Sequence, residues 1–426
     1  MSYTNEYLEA LERIDTNNRG VKGLRYFLDT AHQWHTIFQN DSCDPKRDGS
    51  AAPLVVVLGH GIPEQLIYAC GTTPLHLLGG SHASCQWSDD FVPRDSDPAS
   101  RSILGYALKL AENPNVKPLF VVPVTNDNMR KIAYLLARQG HATLPVDIPP
   151  TMATSPTQHA WEQSLRSLVK ATERHVGIRA TARSIQAAER LVGSARKAMV
   201  EFERSCIACE GVLNTEARLI VLNSYYQTNS LTQWTNALKE LTTQITARHR
   251  TLGRPTSNAP RTLVVGSPIL FPQYKVAGLL EDAGLYLLAT ADASSTSRYS
   301  SLSARELHGG VQHLIGAIAR RHYAVDSSGA HVVNQALEQY VEFLFGSMRV
   351  DGVVFHTLKG QIEHDFLYAR MEPMLERYDI PAFRLETDYQ YQDVEQLRIR
   401  LEAFAEMLEQ RTFAFEARGT NVRRSA

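Results

Sequence analysis

The run Leu54-Val55-Val56-Val57-Leu58 is apolar at every position and stops at Gly59-His60-Gly61-Ile62-Pro63. A half-exposed strand alternates polar and apolar side chains. A run with no polar position instead suits a parallel strand buried on both faces, ended by a tight turn before a helix, here over Glu64–Cys70. Much later, Arg261-Thr262-Leu263-Val264-Val265 followed by Gly266-Ser267-Pro268 repeats that opening. Pro74–Leu78, Pro118–Val124, Gly284–Leu288, Val350–His356 and Ala382–Leu385 read as further strands, and Met129–Arg138 and Tyr274–Ala283 as helices between them. This alternation predicts the α/β class: two doubly wound parallel-sheet lobes with a helical N-terminal segment and a helical middle region. The shared opening is too short to establish a repeat, but it fits two related lobes.

The helical parts follow from spacing. Tyr7, Leu8, Leu11 and Ile14, then Val21 to Phe38, recur with helical period, and so do Trp161, Leu165 and Leu168, then Ile185, Ala188 and Leu191. The chain divides into a helical segment (1–50), a first lobe (51–157), a helical region (158–258), a second lobe (259–412) and a basic tail (413–426). Gly49–Pro53 reads as a linker. Val394–Gln410 is an amphipathic helix with Leu397, Leu401, Phe404 and Leu408 on one side, and the tail beyond is expected to fray.

Composition excludes some partners. With 44 Lys+Arg against 45 Asp+Glu in 426 residues, nothing points to a nucleic acid or an anionic membrane, which select clustered cations. No apolar run reaches the roughly 18 residues that span a bilayer, and the N-terminus lacks the pattern of a signal peptide. The expectation is a cytoplasmic protein whose five cysteines, Cys43, Cys70, Cys85, Cys206 and Cys209, are thiols or metal ligands. Cys206-x-x-Cys209 has redox spacing but lies in the helical region, without the strand a thioredoxin-like motif needs. There is no G-x-S-x-G elbow, P-loop or H-E-x-x-H.

Several segments, in order, carry a resemblance. They are Gly59–Gly71, Pro74–Gly80, Ser102–Gly105, Val122–Asp127, Val350–Val353, and Leu385-Glu386-Thr387-Asp388-Tyr389 leading into Glu395–Phe404. Together they resemble the 2-hydroxyacyl-CoA dehydratase and benzoyl-CoA reductase family over roughly residues 50–410. The resemblance implies two α/β lobes, a CoA thioester as substrate, and a [4Fe–4S] cluster held in the cleft by three cysteines. It also implies a homologous partner subunit and an ATP-hydrolysing activator that delivers an electron for dehydration or ring reduction. Thiolates suit such a cluster because iron in a sulfide core binds soft anionic sulfur.

At the three family cysteine positions this chain carries other residues. They are Asp97 (or Ser96, if the register shifts by one), Asn126, and Gln361 within Lys359–His364. No cysteine follows Cys209. The expectation is a subunit without a cluster, paired with a homologue that bears one. Two other readings stay open: an enzyme repurposed to cluster-independent acyl or thioester chemistry, and a non-catalytic assembly subunit. Candidate cleft residues are Gly59 and Gly61, whose turn could approach a diphosphate, together with Glu64. Arg101 and Arg298 either anchor substrate anions or are solvated. A metal site from His82, Cys85 and Asp97 can be drawn, against the plainer reading of a loop histidine and a semi-buried thiol.

Overall fold

The computed structural model describes residues 2–39, 52–252 and 259–424. Helices α1 (Tyr3–Asn17) and α2 (Arg25–Thr36) open the chain. The first lobe runs β1 (Ala52–Leu58), α3 (Gln65–Tyr68), β2 (Leu75–Leu77), α4 (His82–Gln86), α5 (Pro98–Ala111), β3 (Val116–Val124), α6 (Asp127–Arg138) and β4 (Thr143–Asp147). Helices α7 (Ser155–Val176), α8 (Ala182–Ala208), α9 (Thr215–Asn223) and α10 (Leu231–Leu252) follow. The second lobe runs β5 (Arg261–Gly266), α11 (Lys275–Asp282), β6 (Tyr286–Asp292), α12 (Val311–Tyr323), α13 (Gln335–Ser347), β7 (Gly352–Leu358), α14 (Ile362–Arg377) and β8 (Ala382–Thr387), and α15 (Val394–Arg424) closes the fold.

Both sheets are parallel throughout, ordered β2-β1-β3-β4 and β6-β5-β7-β8. The strand order is the same in each lobe, so the relation hinted at by two short runs is present in the topology. The unbroken apolar runs have the expected cause. Val56 and Leu58 of β1 face one core, Val55 and Val57 face another, and all four are fully buried. In the second lobe Val264 joins the first of these cores, while Leu263 and Val265 face a third. The first core also takes Tyr7 and Phe27 from the opening helices, Phe202 and Trp234 from α8 and α10, and Leu401 from α15. Both helical regions therefore share one continuous apolar layer with the inner faces of the two sheets.

Two expectations need adjustment. Strand β4 was not foreseen, because Pro145 breaks its apolar pattern. At a sheet edge the missing N–H forfeits no ladder bond, so proline is tolerated there. The tail expected to fray is helical as far as Arg424, as the continuation of α15 with no proline to interrupt it. Cys43 and linker residues 49–51 lie outside the described residues. Among the described residues, no helix is long and apolar enough to cross a membrane.

Candidate active-site cleft

In an open parallel sheet, ligands bind beyond the carboxyl ends of the strands where strand order reverses. That point lies between β1 and β3 in the first lobe and between β5 and β7 in the second. The turns leaving these strands line a single cavity of about 320 Å³, to which both lobes contribute. Gly59 after β1 and Gly266 at the end of β5 have φ of 91° and 113°, conformations that favour glycine.

The three positions singled out by resemblance meet here. Asp97, Asn126 and Gln361 all line the cavity, and each is the N-cap residue of a helix: α5, α6 and α14 respectively. Asp97 is almost fully buried. Its Oδ1 accepts from the Ala99 N–H at 3.1 Å and from Gln361 Nε2 at 3.0 Å. Its Oδ2 accepts from the Ser100 N–H at 3.1 Å and from Ser100 Oγ at 2.5 Å. Burial pushes the Asp97 carboxyl above its usual range, against the pull of the Ser100 and Ala99 donors. Asn126 caps α6 by accepting from the Met129 N–H at 3.0 Å, and its Nδ2 donates to Glu363 Oε1 at 3.0 Å. Gln361 makes no side-chain cap. Its Oε1 accepts from Ser267 Oγ at 2.6 Å while its amide reaches Asp97. Two amide–carboxylate bonds, Gln361–Asp97 and Asn126–Glu363, thus tie the lobes together across the cleft.

Histidines that sequence reasoning did not select also line the cavity. His60 follows Gly59 and stands edge-on to Tyr226, with ring centroids 5.0 Å apart. Its Nε2 is buried without a protein partner, and burial lowers its pKa to about 4. His364, in the first turn of α14, has a buried Nδ1 without a partner, and burial again lowers its pKa. His331 is held by Asp326 Oδ2 at 2.9 Å and by the Tyr323 hydroxyl at 3.1 Å. Asn334, the N-cap of α13, completes a ring of four helix N-termini around the cavity. The usable signal was the place of His60 directly after β1 and of His364 and Asn334 at helix starts; His331, in the connection between α12 and α13, had none.

The remaining candidates sit elsewhere. Glu64 is buried behind the Gly59–Pro63 turn, paired with Arg196 at 3.0 Å, accepting from the Tyr225 hydroxyl and 3.7 Å from His76. Gly61 packs under Ile148, since a Cβ there would come within 2.8 Å of its Cδ1. Arg101 binds Asp89 at 2.6 Å and the Arg94 carbonyl, and Arg298 is buried against Glu203. Both guanidiniums are committed to internal acceptors, and neither lines the cavity. Cys85 is buried with Leu358 and Tyr389 beneath Ala99, and its thiol donates to the carbonyls of Ser81 and Pro98. Burial lifts that thiol to about 12. Among the described residues, His82, Cys85 and Asp97 included, no three His, Cys, Asp or Glu side chains are grouped so as to hold a metal ion. Cys206 and Cys209 are buried free thiols in the first core.

Residues 60–408 match the family model described as 2-hydroxyglutaryl-CoA dehydratase, D-component. The chain belongs to this family. The (R)-phenyllactyl-CoA dehydratase beta subunit of Clostridium sporogenes is 22% identical over 350 residues, covering 81% of this chain and 89% of that protein. A putative dehydratase subunit of Escherichia coli, YjiM, is 24% identical over 366 residues, covering 84% and 91%. The family match begins just after β1 and covers the rest of both lobes, the helices between them, and Asp97, Asn126 and Gln361.

Proposed function

We propose that this chain is one subunit of a dehydratase acting on a CoA thioester, that it carries no iron–sulfur cluster of its own, and that a homologous subunit bearing the three thiolates works beside it. The carrying observation is the state of the three N-cap positions. The four donors around Asp97 occupy the acceptor sites of its carboxylate. Both amides are engaged as well, one with the Met129 N–H and Glu363, the other with Ser267 and Asp97. Carboxamides are poor ligands for iron in a sulfide core, and the Cys85 thiol near Asp97 is buried, protonated and bonded to carbonyls. These residues do not fit the family's cluster.

What the chain supplies instead is a shaped cleft. Its turns and helix starts form the walls, its inter-lobe bonds fix the distance between lobes, and its apolar lining keeps water from a bound acyl group. The naming of both relatives as subunits supports a partner. An ATP-dependent activator, if the system uses one, would serve the cluster-bearing subunit, and the free thiols suit a reducing cytoplasm. Anaerobic reconstitution with iron and sulfide tests the reading. The isolated chain is expected to give no stoichiometric [4Fe–4S] absorption, while co-purification with a three-cysteine homologue gives one cluster per pair. A stoichiometric cluster in the isolated chain would refute it.

A further inference from the structure

The charge around the cavity limits what can enter it. Four helices, α5, α6, α13 and α14, begin at its wall, their N-caps being Asp97, Asn126, Asn334 and Gln361. Each helix N-terminus carries about half a positive charge, roughly two in all, which would attract an anion were nothing else present. The protein meets that field with its own anions. Asp97 caps α5, and Glu363 lies in the first turn of α14 with its Oε1 on Asn126 and its Cγ packed over Gly329. Among the described residues, Arg370 is the only Lys or Arg in the lining, and it is taken by Glu338 at 2.8 and 3.3 Å. No cation is left for a further carboxylate, which would instead face Glu363 in a confined, poorly screened space. Much of the rest of the wall is apolar, with Leu78, Ile103, Met129, Leu270, Leu337 and Phe366, beside the side chains of Ser100, Thr125, Ser327, Ser328 and His331. The polar groups that remain are hydroxyls and ring nitrogens, of which His60 Nε2 and His364 Nδ1 are buried and have no protein partner.

We propose that the cavity admits an uncharged acyl group with an apolar body and a hydroxyl or carbonyl, and that Glu363 is the residue that turns away acyl groups ending in a carboxylate. This rests on the CoA-thioester reading above and narrows it to one substrate class. Removing the Glu363 charge leaves the N-terminal field of α6 and α14 partly uncompensated, so a carboxylate then gains a favourable position.

Pentanoyl-CoA and glutaryl-CoA, equal in carbon number and different by a terminal carboxylate, are the probes, with CoA as control. Calorimetric titration of the full chain is expected to show pentanoyl-CoA binding at least about tenfold tighter than glutaryl-CoA. Glu363→Gln keeps an acceptor for Asn126 and should narrow that ratio to about threefold or less by tightening glutaryl-CoA. Equal affinities in the wild-type chain, or a preference for glutaryl-CoA, would overturn the substrate class whatever the variant does. A ratio unchanged in a folded Glu363→Gln would overturn the assignment to Glu363. If neither thioester nor CoA binds, the CoA reading falls, and saturation-transfer NMR with pentanamide and glutaramate decides the charge question. Signal from pentanamide alone upholds the proposal; equal signals overturn it.

Discussion

The two lobes share one strand order and build the cleft from equivalent turns, but they furnish those turns differently. In the first lobe, α5 and α6 begin with side chains that cap their own helices, Asp97 and Asn126. In the second, Asn334 caps α13, whereas Gln361 leaves α14 without a side-chain cap and spends both ends of its amide on Ser267 and Asp97. The negative charge sits on the cap itself in the first lobe and inside the helix, at Glu363, in the second. The glycine turns differ as well: Gly59 opens onto free space, and Gly266 is pressed against the strand beside it. Topology is common to both halves, then, while the chemistry of the cleft is set by what each half places on the same four turns.

The glycine turns offer the sharpest way to break this comparison. A Cβ at Gly266 would lie 2.3 Å from the His356 carbonyl oxygen, on a neighbouring strand that cannot give way, at φ 113°. At Gly59 a Cβ meets nothing within 4 Å, and only the φ of 91° opposes it. Gly59→Ala should therefore cost about 1–2 kcal/mol, the strain of a left-handed non-glycine residue. Gly266→Ala adds a backbone clash and should exceed about 4 kcal/mol, so that thermal melts show an early transition or no cooperative one. Similar melting temperatures for the two variants would show that the second lobe's turn is as open as the first's.

The inter-lobe bonds come next. Asp97→Ala removes a helix cap and leaves the buried Gln361 amide short of an acceptor, which together should cost about 2–4 kcal/mol in urea unfolding. Asn126→Ala loses a cap and a part-buried bond and should cost about 1–2 kcal/mol. A double-mutant cycle separates bond from cap. The Asp97–Gln361 pair should couple by about 1.5–3 kcal/mol, as a buried bond to a charged group does, and the more exposed Asn126–Glu363 pair by about 1 kcal/mol or less. Equal couplings would mean that burial does not distinguish the two ties.

How much of this was open to sequence reasoning depends on range. Strands β1 and β5 were legible because an unbroken apolar run has few alternatives, and their repetition hinted at the second lobe. Strand β4 was hidden by Pro145, whose harmlessness depends on being at an edge. Asp97, Asn126 and Gln361 were found one at a time from the order of motifs. That Gln361 donates to Asp97, and that Glu363 rather than Gln361 answers Asn126, depends on how two lobes close on each other, which no local pattern encodes. Arg101 and Arg298 show the same gap from the other side. Guanidinium chemistry suits an external anion or an internal carboxylate equally, and only the fold shows Asp89 and Glu203 already in place.

A pH-dependent effect concerns the histidines that flank the equivalent turns, His60 beside Gly59 and His356 beneath Gly266. Burial lowers both to about 4, from about 6.5 in an unfolded chain. Between those values the folded chain binds fewer protons than the unfolded one. Their contribution to stability is therefore complete above about pH 6.5 and is lost as pH falls toward 4, at no more than about 1.4 kcal/mol per pH unit for each ring. His356 is bonded at both nitrogens, to the Ser267 carbonyl at 2.9 Å and to Thr387 Oγ1 at 2.8 Å, whereas His60 Nε2 has no protein partner. Replacing either by Asn should lessen the stability lost between about pH 7 and 5 by a similar amount, up to about 2 kcal/mol. At pH 7 the variants should part company, with His356→Asn clearly destabilised and His60→Asn within about 1 kcal/mol of the parent chain. Urea midpoints at the two pH values read both quantities. An acid loss unchanged by His60→Asn would mean that this ring is already open to solvent in the cleft, and that the two turns differ in burial as well as in packing.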